Sequence, residues 1–110
     1  MPSEALQIPA ADLGAYTKIN SVIHSKARLA MVSVLAINGE ATFTQLRDAL
    51  KLTDGNIAAH LRALKAKNVI RLKKIGNPLK PTTVISLSPA GQTEFRRYLD
   101  GMAYLVKRHR

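Results

Sequence analysis

The residues with the clearest chemical potential form one block. From Gly55 to Thr93 there is no acidic residue, yet the stretch carries Arg62, Lys65, Lys67, Arg71, Lys73, Lys74 and Lys80. Positive charge without acidic partners creates a local field that attracts phosphates. A smaller basic end follows at Lys107, Arg108 and Arg110. At the head of the block, Asn56 can pair bidentately with adenine, and Arg62 can reach guanine or a phosphate. The plainer readings are a helix-start residue satisfying local backbone for Asn56 and a solvated charge for Arg62. His60 stands beside them as a neutral boundary residue, a base or phosphate contact, or a metal ligand. His24 and His109 share no ligand spacing with it. There is no cysteine, which removes disulfides, zinc fingers, thiolate metal sensing and cysteine catalysis together. No Gly-rich phosphate loop, nucleophile elbow or metal cluster occurs, so the chain is expected to be no enzyme and to hold no metal or cofactor.

Composition bounds what can carry this block. The 110 residues are enough for one domain and too few for two. Seventeen Lys and Arg against seven Asp and Glu give a formal charge of +10, and 46% of the residues are hydrophobic. That excess calls for a polyanionic partner, either nucleic acid or an anionic membrane surface. No apolar run approaches the roughly 20 residues of a membrane span. Met1 to Ala15 has no basic region ahead of an apolar one, which argues against a secretory signal. A soluble cytoplasmic protein is expected. Aromatic residues are 5% and tryptophan is absent, which counts against a single-strand binder that stacks bases on aromatic platforms.

The elements that must position these residues are legible from period and caps. Residues 1–11 contain two prolines and no clear period, so they read as a loose tail. Leu13, Tyr16, Ile19 and Ile23 recur at helical spacing and predict a short amphipathic helix. Ser25 is a good N-cap for a second helix, Lys26 to about Ile37, with Leu29, Val32, Leu35 and Ala36 inward. Asn38-Gly39 ends it. Glu40 to Phe43 is a short extended piece. A third helix runs to Leu50, capped by Thr42 in a capping box with Gln45, or alternatively by Thr44; Leu46 and Leu50 face inward. After the turn Lys51-Leu52-Thr53, Thr53 caps a fourth helix, Asp54 to about Lys67, with Ile57, Leu61 and Leu64 inward. Two helices joined by so short a turn form a helix-turn-helix candidate. The period then changes to two over Val69 to Ile75 and Thr82 to Leu87, a β-hairpin around the patch Gly76-Asn77-Pro78-Leu79-Lys80-Pro81. Ser88 caps a last helix with Pro89 at its first position. Phe95, Tyr98, Leu99, Met102, Leu105 and Val106 are its apolar stripe.

The fold class is therefore mainly α with a small β-hairpin, in the order α-α-β-α-α-β-β-α. A hairpin directly after a helix-turn-helix is a winged helix. The chain resembles the small single-domain winged-helix transcriptional regulators of the MarR/ArsR-like superfamily. The resemblance rests on Ser25-Lys26-Ala27-Arg28-Leu29, on Phe43-Thr44-Gln45-Leu46-Arg47-Asp48-Ala49-Leu50, on Leu52-Thr53-Asp54-Gly55-Asn56-Ile57-Ala58-Ala59-His60-Leu61, on Lys80-Pro81-Thr82-Thr83 and on Leu87-Ser88-Pro89-Ala90-Gly91. It covers roughly residues 20 to 100. It implies double-stranded DNA binding, transcriptional regulation and a homodimer. It departs from the family's common pattern in a wing tip with only Lys80 charged and in lacking the cysteines of metal sensors.

These readings set the expectations. Residues 12–88 form the DNA-binding domain and 89–110 a dimerisation helix. The fourth helix offers Thr53, Gly55, Asn56, Ala59, His60, Arg62 and Ala63 to the major groove, where small residues permit close approach. Asp54 would oppose a phosphate and is assigned to the helix start. Arg71, Lys73, Lys74, Asn77 and Lys80 on the hairpin contact the backbone, which positions without reading sequence. Arg28 packs or pairs locally. The last helix spans about 28 Å at 1.5 Å per residue, longer than one small domain can cover. Its outer residues Tyr98, Met102, Leu105 and Val106, with Tyr16, Ile19 and Ile23, are expected to meet a second copy. The rival reading is a basic winged-helix module bound to RNA or to a protein complex. Membrane association ranks below both, because the last helix lacks the face of an interfacial anchor. The sequence names no effector.

Overall fold

Helix caps fix most of the architecture. The computed structural model describes residues 6–110. It has helices α1 (Ala10–Thr17), α2 (Lys26–Asn38), α3 (Phe43–Leu50), α4 (Asp54–Ala66) and α5 (Pro89–Arg108), with strands β1 (Glu40–Thr42), β2 (Ile70–Ile75) and β3 (Thr82–Leu87). Thr42, not Thr44, caps α3. Its hydroxyl accepts from the Gln45 amide at 3.1 Å while the Gln45 side chain accepts from the Thr42 amide at 2.9 Å. Thr53 caps α4 by accepting from the Asn56 amide at 3.1 Å. Ser25 holds the N-cap position of α2 with extended backbone, but its side chain makes no capping bond; α2 ends at Gly39.

The hairpin of β2 and β3 belongs to a three-stranded antiparallel sheet in the order β1-β3-β2, with Ala41 opposite Ile85 and Ile70 opposite Leu87. The sequence signalled the hairpin and the short extended piece over residues 40–43, but not that this piece pairs with β3. Facing residues of a ladder share a face. Ile70, Ile85, Leu87 and Ala41 therefore lie together on the side that meets the helices. Met31, Val32, Leu35, Leu46, Ile57, Leu61 and Leu64 complete the core with them.

Three expectations about the elements are corrected. The first helix is not a unit reaching Ile23. It stops at Thr17, and the Asn20 side chain then accepts from the amides of Val22 and Ile23, at 2.8 and 3.2 Å, and holds a turn. An Asn side chain competing for backbone donors is a standard helix breaker. That turn drops Ile23 into the core, while Leu13 and Tyr16 face outward and Asp12 and Ala15 inward. The loose tail expected over residues 1–11 is shorter, since Ala10 and Ala11 are already helical; residues 1–5 of it lie outside the described residues. On α2 the buried residue that the pattern missed is Met31, and Ala36 is exposed.

Two glycines permit close approaches that place α5. Ser88 caps α5 by accepting from the Gly91 amide at 2.8 Å, and its amide donates to the Val69 carbonyl at 3.0 Å. A Cβ on Gly91 would lie 1.9 Å from that same carbonyl oxygen. The Leu-Ser-x-x-Gly motif is thus the joint between hairpin and helix. At Gly101, a Cβ would lie 2.8 Å from the Ala15 carbonyl oxygen, so α1 crosses α5 at backbone distance.

Candidate nucleic-acid interface

Helix α4 buries Ile57, Leu61 and Leu64 and turns its other face to solvent. Thr53, Gly55, Asn56, Ala59 and Arg62 are all exposed there, and Ala63 is half-buried at the margin. The Asn56 backbone amide is satisfied by Thr53. Its side chain makes no hydrogen bond among the described residues, so its amide is free for another partner. His60 is half-buried and sits 3.4 Å from an Arg28 guanidinium nitrogen. Arg28 also donates to the Val22 carbonyl just before α2, its expected local role, while its contact with His60 links the α2 start to α4. A ring nitrogen facing a guanidinium can accept only when the imidazole is neutral. Among the described residues no group of three or more His, Cys, Asp or Glu could hold a metal ion.

The acidic residue nearest this face is not left to oppose a phosphate. Asp54 accepts from Arg47 on α3 at 3.0 Å, and the same guanidinium reaches Asp48 at 3.0 Å. The bond to Asp54, then that to Asp48, raises the Arg47 pKa above its ordinary value. The pairing joins the two helices of the helix-turn-helix across their turn. Residue spacing alone could not find it, because Arg47 and Asp54 lie on different helices.

The wing places its cations on two faces. Arg71 and Lys73 stand opposite Ser86 and Val84, whereas Lys74 stands opposite Thr83 on the same side as Leu72 and Ile85. All three are exposed, as is Lys80. They form no single row, a separation that a count of lysines does not reveal. The tip is a closed turn. Gly76 has φ +85°, the Asn77 side-chain oxygen accepts from the Leu79 amide at 2.9 Å, and the Asn77 carbonyl accepts from the Lys80 amide at 2.9 Å. The Asn77 side-chain oxygen is thus engaged within the turn, while Asn77 itself remains exposed. Lys80 borders a groove lined by Thr42, Phe43 and Thr44, so the wing's return strand lies beside the start of α3.

The residues expected to meet a second copy divide sharply. Ile23 is 0% and Tyr98 2% exposed within the single chain, so both are withdrawn from that list. Ile23 fills the core, and the Tyr98 hydroxyl lies 2.8 Å from His24 Nδ1. Ile19 and Met102 are half-buried against the core, and Leu105 is half-buried. Tyr16 at 56% and Val106 at 57% remain open, joined by Leu13 at 49% from the same stripe of α1. Beneath them lies a latch. Asp12, buried on α1, accepts from the Tyr104 hydroxyl at 2.8 Å and lies 3.5 Å from Arg108 Nε on α5. That hydrogen bond is the main cause that raises the Tyr104 pKa.

Comparison with known proteins agrees with this geometry. A family model described as a winged helix DNA-binding domain matches residues 27–106. An uncharacterised protein of Methanocaldococcus jannaschii is 27% identical over 86 residues, 78% of this chain and 94% of that protein. Among solved structures, a transcriptional regulator homologue from Pyrococcus horikoshii OT3 superposes with a TM-score of 0.78 at 24% identity, over 86% of this chain and 95% of that one. A protein described as a MarR-family regulator from Enterococcus faecalis V583 gives 0.65 at 20% identity, over 97% and 94%. The PcaV transcriptional regulator of Streptomyces coelicolor gives 0.64 at 17% identity, over 89% of this chain and 68% of that one.

Proposed function

The chain belongs to the winged helix DNA-binding domain family, and from that premise we propose that it is a sequence-specific regulator of transcription that binds double-stranded DNA as a homodimer. The observation that carries the reading is the outer face of α4: small residues, an unengaged Asn56 amide and Arg62, continuous in sequence with an acid-free basic wing. Helix α4 enters the major groove, Asn56 and Arg62 read base edges, and the wing cations that face the duplex, drawn from Arg71, Lys73, Lys74 and Lys80, supply phosphate contacts. The Arg47–Asp54 pair keeps the acidic start of α4 from repelling the backbone. The outward residues of α1 and α5, with Tyr16, Leu13 and Val106 at their centre, pair with the same surface of a second copy. No helix among the described residues is long and apolar enough to cross a membrane.

The test is capture of duplexes from fragmented genomic DNA in the presence of excess competing RNA. The reading expects enrichment of discrete duplex sites that RNA does not displace. Displacement by RNA would favour the rival reading of an RNA-binding module.

A further inference from the structure

A lone exposed leucine needs no explanation on a protein surface. Leu79 differs in its setting. It is 93% exposed at the extreme tip of the wing, and Ile75 at 44% stands beside the turn. Pro78 precedes it, and Lys80-Pro81 follows. The prolines fix φ at two positions. The Asn77 side chain clamps the Leu79 amide, and the Asn77 carbonyl clamps that of Lys80. A mobile loop would let this apolar group fold back onto the domain; a clamped one holds it in water. Lys80 flanks the tip, Lys73 and Lys74 lie behind it on opposite faces of β2, and no acidic residue lies within the hairpin. Clamped, apolar and backed by cations, the tip suits a partner that is polyanionic outside and apolar just beneath. A duplex answers to that description at the stacked bases between its phosphate rails.

The reach agrees. Six-residue strands extend the hairpin by roughly 20 Å at about 3.3 Å per residue. Its base lies at Ile70, close behind the end of α4. With α4 in a major groove, the adjacent minor groove is half a helical turn away, about 17 Å along the axis.

We infer that Leu79 is a wedge that the wing tip drives against a minor-groove base step, partly unstacking it and bending the duplex. This rests on the DNA-binding reading above. The wing then contributes specificity without hydrogen bonds to bases. Sites with an easily unstacked pyrimidine–purine step at the wing position are favoured, because they deform at lower cost.

The experiment uses the full chain and a duplex that the wild type selects from a pool with a randomised centre. The duplex carries a donor and an acceptor dye at its ends. Wild type is expected to raise energy transfer by bending the duplex at least about 20°. Leu79→Ala should abolish most of that change and weaken binding about tenfold, and Leu79→Met should restore both. The control is whichever of Lys73→Ala and Lys74→Ala weakens binding: it should leave the bend of the bound duplex intact. Leu79 is exposed, so its replacement leaves the fold alone, which circular dichroism verifies. If wild type binds the selected duplex but Leu79→Ala bends it equally, the wedge is refuted while the DNA-binding reading stands. If wild type selects no duplex at all, both fall together.

Discussion

At the scale of single residues, the interface separates reading from positioning. Asn56 has an unengaged side chain at the start of α4, whereas the lysines of β2 are charges on a ladder. Asn56→Ala should cost about 1–3 kcal/mol per specific base contact and leave binding to random duplex nearly unchanged. Equal weakening of both duplexes would return Asn56 to a helix-start role. The register adds a sharper expectation for the cations. Lys73 and Lys74 lie on opposite faces of the wing, so a duplex lying along one face meets only one of them closely. In salt titrations, one of the substitutions Lys73→Ala and Lys74→Ala should lower the slope of binding by about one for each phosphate no longer neutralised, and the other should barely change it. Equal changes would contradict this placement. Residue types and their charge were readable in the sequence. Partners across elements were not: nothing in the spacing of Arg47 and Asp54, or of Asp12 and Tyr104, says that they meet.

At the scale of elements, the caps were the most legible signals. Thr42, Thr53 and Ser88 each hold a helix start by accepting from a backbone amide, as their types and the following residues imply. The extent of the first helix was not legible, because the helical spacing of Leu13, Tyr16, Ile19 and Ile23 arises from two separate causes. Leu13 and Tyr16 lie on a short helix; Ile23 is carried inward by the Asn20 turn. What anchors that short helix is polar and tertiary, the contact of Asp12 with Tyr104 and Arg108. Its pH dependence follows from the raised Tyr104 pKa, whose ordinary value is 10.0. A folded pKa above the unfolded one means that the fold favours the protonated hydroxyl. The stabilisation is therefore complete below the ordinary value and is lost as pH rises through the higher folded one, where a phenolate would face Asp12. Thermal melts of wild type and Tyr104→Phe should differ at neutral pH and converge above pH ~10. A gap that stays constant through that range would show that the hydroxyl does not hold the latch.

At the scale of the whole molecule, the family match and the order of elements agree with what the sequence implied, and the pairing of β1 with β3 is what the order did not reveal. The apolar stripe of α5 was visible, but its division was not. Tyr98 turns into the domain, Met102 and Leu105 are half covered, and Val106 remains outside with Tyr16 and Leu13 of α1. A period marks which side of a helix is apolar; it does not say whether its own chain or a second one covers it. If a second copy covers this face, Val106→Glu places a charge in the interface and should yield monomers by light scattering while the fold persists. A wild-type monomer at tens of micromolar protein would rule out the dimer. A symmetric dimer presents two α4 helices to successive major grooves. The most direct measurement is footprinting of the wild-type chain on the genomic sites it enriches. The predicted result is a two-fold pattern with half-sites one helical turn apart, about 10 bp centre to centre. A single asymmetric footprint shorter than about 8 bp, or no discrete site at all, would contradict it.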